Sequence, residues 1–252
     1  MSKFNLAAVV ILAAGKGSRM ESEIPKVLHQ VGGKSMLELV IAAASPLNPE
    51  NLIVVVGYGR GQVIEQLNRI APNAKVVVQE EQRGTGHAVK VALTIFGEAV
   101  PCGSIVVLNG DVPLITTQTL VKLIDLHSKN CAAVTILSAV VDNLFGYGRI
   151  VRDSTSGNVV AIVEQKDADS FQCAIHEINT GIYVFDSVWL KTALCRLSQN
   201  NAQKEEYLTE VVSITLDGGG SVVAVVADDP TEILGVNDRE QLANLNKLFQ
   251  IR

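Results

Sequence analysis

Cysteine pairs are missing from this chain. Its four cysteines, Cys102, Cys131, Cys173 and Cys195, are scattered with no C-x-x-C spacing, which argues against a zinc site and against a disulfide scaffold. They read as reduced, mostly buried thiols. Excess positive charge is missing too. A net charge of −5 gives no global attraction for nucleic acid, and no nucleic-acid partner is expected. No segment reaches the ~18 apolar residues needed to cross a bilayer. The first apolar run has only Lys3 ahead of it and is broken by Gly15 and Lys16, unlike a secretory leader. No membrane partner is expected, and the expected location is the cytoplasm. Pro/Ser-rich linkers, low-complexity tracts and internal repeats are absent as well, so a single domain with a lobe is expected.

Core-forming residues are plentiful. Apolar side chains make up 48% of the chain, enough for a sizeable core. In the first half, short runs rich in Val, Ile and Leu at 7–12, 52–56, 75–78 and 104–108 alternate with helical patterns at 36–44, 61–70, 86–96 and 117–128. Such alternation predicts an α/β fold with a doubly wound, mostly parallel sheet. In the second half, strands are predicted at 132–140, 149–152, 159–164, 181–185 and 221–226. Polar, hairpin-like turns such as 153–158 join some of them. Helical signals return at 187–197, 206–216 and 238–249. The last is a closing helix with Leu242, Leu245 and Phe249 on one face. The second half extends the first as a substrate lobe.

The first strand ends in a glycine-punctuated loop, L-A-A-G-K-G-S-R-M, followed by Pro25 and Lys26. A buried strand feeding such a loop presents backbone N–H groups to phosphates. Neither common phosphate fingerprint fits. Met20 occupies the third glycine of G-x-G-x-x-G, and Leu28 stands where a P-loop ending in Gly33-Lys34-Ser35 needs its first glycine. Gly15 and Gly17, lacking Cβ, let the backbone approach a triphosphate closely. Arg19 and Lys26 can neutralise phosphate charge. Ligands of doubly wound sheets sit beyond the carboxyl ends of the strands, which puts the Gly15 loop, Gln79 and Asp111 on one sheet edge.

Asp111, in N-G-D-V-P-L after the fourth strand, is a natural Mg2+ ligand. Mg2+ prefers oxygen and is held by one or two protein groups plus substrate phosphates. Alone, Asp111 reads as a turn residue or helix cap; beside the Gly15 loop the metal role gains. Gln79 can pair with a nucleobase through both amide donor and carbonyl. Gly84 allows close backbone approach, and Thr85 can bond the base or cap the next helix. His87 reads as a structural histidine in the first turn of the next helix. Glu164 and Asn179, at strand ends near Gly148, suit sugar hydroxyls. Asn237 can give Mg2+ a second oxygen or start the final helix.

The loop pattern L-x-x-G-x-G-x-R-M-x-x-x-x-P-K resembles that of sugar-nucleotide pyrophosphorylases, which join a nucleoside triphosphate to a sugar 1-phosphate. Further ordered segments are Q-R-G-T-G-H-A-V, N-G-D-V-P-L, G-Y-G-R-I-V-R, I-V-E-Q-K-D-A, E-I-N-T-G-I, E-Y-L-T-E and G-V-N-D-R. Together, from Ala8 to about Leu248, they resemble the uridylyltransferase domain of the bacterial bifunctional enzyme that makes UDP-N-acetylglucosamine. The resemblance implies a Mg2+-dependent nucleotidyltransferase moving UMP from UTP to N-acetylglucosamine 1-phosphate, for cell-envelope precursors. It implies that Leu12, Ala14, Gly15, Gln79, Gly84 and Thr85 hold the uridine. It implies Arg19 and Lys26 as catalytic phosphate ligands and Asp111 and Asn237 as metal ligands. Gly148, Glu164, Asn179 and Thr209 are implied for the amino sugar. Residues 1–130 are then the nucleotide half, and 131–252 the sugar half.

The family's second domain is a left-handed β-helix of hexapeptide repeats with acetyltransferase activity and trimer contacts. These 252 residues hold no such repeat, so acetyltransferase activity is not expected of them and their oligomeric state is left open. Asn109 stands where a tyrosine is common, and Q-K-E-E-Y at 203–207 where Q-G-E-Y-Y is usual. Both departures lie near the expected sugar pocket. The competing readings are a pyrophosphorylase for another sugar, a cytidylyltransferase, and a non-catalytic nucleotide-sugar sensing module. The presence of Arg19, Lys26, Asp111 and Asn237 together argues against the last.

Overall fold

The computed structural model describes residues 4–97 and 99–251; Lys3, ahead of the first apolar run, lies outside them. In chain order the elements begin with β1 (Leu6–Ala13), β2 (Gln30–Val31), β3 (Lys34–Ser35), α1 (Met36–Ala44) and β4 (Leu52–Val56). Next come α2 (Arg60–Ile70), β5 (Lys75–Val78), α3 (Thr85–Leu93), β6 (Ser104–Asn109) and α4 (Thr117–Lys129). The second half holds β7 (Val134–Val140), β8 (Gly148–Arg152), β9 (Val159–Val163), α5 (Ser170–Cys173) and β10 (Glu177–Asp186). It closes with α6 (Ser187–Leu194), α7 (Glu210–Asp217), β11 (Val222–Val226) and α8 (Arg239–Ile251).

The main sheet runs β11-β7-β10-β6-β1-β4-β5, and β8 and β9 extend it from β10. β1 pairs in parallel with β4 and β6, β4 with β5, and β11 with β7. Only β10 on this path is reversed, antiparallel to both β6 and β7. The doubly wound, mostly parallel α/β fold expected from the sequence is therefore present. The apolar runs explain it. Along β1, Val9, Ile11 and Ala13 face one core with Val40 of α1, Leu67 of α2 and Leu123 of α4. Ala8 and Val10 face the opposite core with Val89 of α3, Leu190 of α6 and Val211 of α7. Each fully buried Val or Ile contributes roughly 1.5–3 kcal/mol. A third cluster, with Met20, Val31, Met36, Val236 and Leu245, packs α8 against the glycine loop.

β10 joins the two halves. Its Tyr183–Asp186 end pairs with β6, and its Ile178–Asn179 end pairs with β8. A register shift between Asn179 and Ile182 separates the two.

Three expectations need correction. Cys102, Cys131 and Cys195 are exposed and Cys173 is half-buried, because they fall on caps and turns at the ends of elements. The helix predicted from 206 starts at Glu210. Its would-be first turn instead pairs with the loop before α3: Glu206 N–H donates to Arg83 O (2.7 Å), and Gly86 N–H donates to Glu206 O (2.8 Å). The helix predicted over 86–96 ends at Leu93 and tightens into a 3-10 turn, Thr94–Phe96.

Gly84 sits at this junction with φ of 105°, and a Cβ there would lie 2.6 Å from Glu206 O. Gly84→Ala is expected to cost about 2 kcal/mol, lowering Tm by roughly 4–8 °C for a chain of this size. Thermal denaturation followed by circular dichroism checks this; an unchanged Tm would mean the junction relaxes freely.

Candidate active site

A cleft of about 500 Å3 opens beyond the carboxyl ends of β1, β5 and β6. The sequence-predicted residues Leu12, Ala14, Gly15, Lys26, Gln79, Gly84, Thr85 and Asp111 line it. So do Gly148, Glu164, Asn179, Thr209 and Asn237 from the second half. Arg19 does not. It lies on the exposed side of the 3-10 turn Ser18–Met20, outside the cleft lining.

The first group surrounds Gln79, the residue after β5. Its Nε2 donates to Gly84 O (3.1 Å) and to His87 Nδ1 (3.0 Å). Both amide donors are thus engaged, so the double role foreseen from the sequence reduces to the carbonyl alone. His87 is buried, and that burial, followed by the nearby Arg83 charge, lowers its pKa from 6.5. Its neutral, buried state matches the structural role expected of it. Gln82, which sequence reasoning passed over, donates to Ala14 O (2.7 Å) and ties this loop to the glycine loop. Its nearness to Gln79 in the same turn was the available signal. Thr85 Oγ1 accepts from Leu208 N–H (3.1 Å), joining this group to the second half.

The second group is centred on Lys26. Its Nζ forms an ion pair with Asp111 and donates to Asn237 Oδ1 (3.3 Å). Gly17, at φ of 59°, makes room for it: a Cβ there would meet Lys26 Cβ at 2.7 Å. A backbone bond from Val236 N–H to Asp111 O (3.1 Å) brings Asn237 alongside. Among the described residues no cluster of three or more His, Cys, Asp or Glu could hold a metal on its own. One carboxylate and one amide oxygen converging on a single cation is the donor set that suits Mg2+ when substrate phosphates supply the rest.

The third group belongs to β8, β9, β10 and the start of α7. Thr209 Oγ1 donates to Glu164 Oε1 (3.1 Å). Burial raises the Glu164 pKa above 4.5; the Thr209 hydroxyl opposes this, and the Asp167 and Glu205 charges add to it. Asn179 Oδ1 accepts from Gly181 N–H (3.2 Å). Asn109 Nδ2 donates to Thr180 O (3.2 Å) at the cleft wall. The buried Arg149 guanidinium donates to Tyr147 O and to Gln165 Oε1 (2.8 Å), anchoring the strand that carries Gly148. Tyr147 and Glu205 also line the cleft. Both lie in segments singled out in the sequence, G-Y-G-R-I-V-R and the departure Q-K-E-E-Y, but neither was assigned a role there.

A glycine loop at a strand end, the Lys26, Asp111 and Asn237 cluster and a carboxylate-bearing lobe meet on one doubly wound sheet. The chain belongs to the MobA-like NTP transferase domain family, whose pattern matches residues 9–169. It is 49% identical over its whole length to the protein named "Bifunctional protein GlmU" of Streptomyces coelicolor, covering 52% of that protein. It is 48% identical, again over its whole length, to the protein of the same name of Thermobifida fusca, also covering 52% of it. The chain thus spans about half the length of the curated relatives it matches. Among solved structures, a UDP-glucose pyrophosphorylase complexed with UDP-glucose aligns with a TM-score of 0.77 at 15% identity, over 98% of this chain and 99% of that one. A nucleotidyl transferase from Methanothermobacter aligns at 0.67 and 19% identity, over 98% and 99%. These two support the fold alone. Among the described residues no helix is long and apolar enough to cross a membrane.

Glu164 carries a stability prediction. Its native pKa lies above its unfolded value, so the folded chain holds the extra proton between the two. Stability from this group therefore rises as pH falls through the native pKa. Glu164→Gln is expected to raise Tm near neutral pH, with the gain closing toward pH 4.5. Calorimetric scans across pH check it; a lower Tm at every pH would contradict the burial argument.

Proposed function

We propose that the chain transfers UMP from UTP to N-acetylglucosamine 1-phosphate, releasing pyrophosphate, with Mg2+ as the cation. The observation that carries this reading is one cleft lined by three groups: the Gln79 amide, the Lys26, Asp111 and Asn237 cluster, and the half-buried Glu164 carboxylate with the Asn179 amide. The GlmU name shared by the relatives supports it, as does the full set of matching segments. On this reading the chain is one nucleotidyltransferase domain, with residues 1–130 serving the nucleotide and 131–252 the sugar.

A phosphate oxygen of the sugar phosphate attacks the α-phosphorus of UTP. A P–O bond forms there as the bond to the β-phosphate breaks, and pyrophosphate leaves with the electron pair. The nucleophile is already anionic, so no side chain need take a proton. Catalysis is then positioning and charge neutralisation. Lys26 holds a cation at the reacting phosphates from a site with little solvent, where its attraction is stronger than in water. The Gly15 loop offers backbone to the triphosphate, and the exposed Arg19 supplies a second positive charge from the same loop. Gln79 faces the base. Glu164, Asn179, Thr209 and the Gly148 backbone orient the amino sugar. Mg2+, held by Asp111 and Asn237, would add charge neutralisation on the phosphates. Its cytoplasmic setting and its use in envelope precursor synthesis follow from the same reading.

The test is Mg2+-dependent pyrophosphate release from UTP across a panel of sugar 1-phosphates. Release with N-acetylglucosamine 1-phosphate above all others is expected; release only with another sugar would keep the chemistry and overturn the pocket assignment. Asp111→Ala is expected to lower turnover by about 10²–10³-fold and, because it leaves Lys26 unpaired, to lower Tm by roughly 2–4 °C per kcal/mol lost, so turnover is measured below that Tm. Unchanged turnover would remove Asp111 from the metal site.

A further inference from the structure

The Gln79 amide is gripped from two sides. Its two N–H groups go to Gly84 O (3.1 Å) and His87 Nδ1 (3.0 Å), and an amide has no third donor. Oε1 has no protein partner among the described residues and is not sealed from solvent, so it is left for the cleft. We propose that His87 is a positioning residue that makes the cleft select uracil over cytosine, by holding the Gln79 carbonyl toward the base. The inference rests on reading this cleft as the nucleotide site.

The chemistry follows from which ring atom carries hydrogen. Uracil presents an N3–H that can donate to Gln79 Oε1. Cytosine presents a lone pair at N3, so two acceptors would meet with no proton between them. Turning the amide over to suit cytosine would break both bonds. It would also set Oε1 against the Gly84 carbonyl and the imidazole lone pair. A site with an engaged polar group discriminates strongly against the base that leaves it unpaired.

Nδ1 accepts only in the neutral ring with its proton on Nε2. The charged groups facing His87 are Arg83 and Lys90, which disfavour protonation, and Glu206, which favours it. Glu206 is itself paired with both cations, at 3.5 Å and 2.6 Å. A protonated ring would aim an N–H at Nε2 and push the amide toward the turned-over state, so acid should erode the preference for UTP.

The experiment measures kcat/KM for UTP and CTP with N-acetylglucosamine 1-phosphate, and calorimetric binding of each nucleotide without acceptor. It compares the native chain, His87→Leu and His87→Asn at about pH 7.5 and about pH 5.5, either side of the ordinary histidine pKa. The native chain should prefer UTP. His87→Leu should lower the UTP:CTP ratio about tenfold, the worth of one hydrogen bond of this kind. His87→Asn, whose Oδ1 can accept in place of Nδ1, should stay within about threefold of native. Acid should lower the ratio in the native chain and not in His87→Asn. If His87→Leu does not fold, His87→Asn and the pH series carry the same test. A ratio unmoved by His87→Leu, or lowered as much by His87→Asn as by His87→Leu, or an equal loss for both nucleotides, would overturn the proposal. A chain that binds UTP selectively but releases no pyrophosphate would retract the proposed reaction, while the binding ratios still decide the role of His87.

Discussion

One ammonium group draws together three distant parts of the chain. Lys26 bonds Asp111, 85 residues away, and Asn237, 211 residues away. Both side chains of the ion pair are only 15% and 19% exposed. In such a setting a charge left without its partner is far more costly than the pair itself is stabilising. The glycine loop, the end of β6 and the approach to α8 must therefore arrive together or not at all. The same constraint explains the chemistry open to the cleft. Two oxygens and a cation meet at one point of the cleft.

The second half meets this centre through β10 and through residues 205–209. β10 lies beside β6 at one end and β8 at the other, so Asn179 and the Gly148 strand are set against the end of β6. Residues 205–209 make the other connection. Glu206 pairs with Lys90, the Leu208 N–H bonds Thr85, and Thr209 bonds Glu164. The Gln79 loop and the Glu164 carboxylate are thus held by one short stretch of backbone. This is the stretch where the helix foreseen at 206 fails to begin.

The fold was legible where burial dictates it. β4, β5 and α1 fall at the positions read from continuous apolar runs and helical periodicity; β4 is buried on both faces, which leaves no other arrangement for its Val and Ile, while β5 is a half-buried edge strand of the same composition. The lining of the cleft was legible by a different route: the short glycine-bearing motifs lie at strand ends, and parallel topology gathers those ends on one edge. What was not legible depends on partners far away in sequence. The first turn of α7 is lost to backbone bonds with Arg83 and Gly86. The two-residue strands β2 and β3 are too short to leave a periodic signal. The direction of the Gln79 amide depends on His87 and on Gly84 O, and no pattern of residue types records which way an amide points. Cysteine burial was misjudged because average behaviour was applied to residues sitting on turns.

The central claim is that one cleft holds the nucleotide and the sugar on opposite sides of the Lys26 centre. A crystal structure of the chain with UDP-N-acetylglucosamine and Mg2+ tests it most directly. The account predicts uracil against the Gln79 carbonyl, the amino sugar against Glu164 and Asn179, and the diphosphate between them beside Lys26. A product bound in the reverse sense, or outside this cleft, would contradict it.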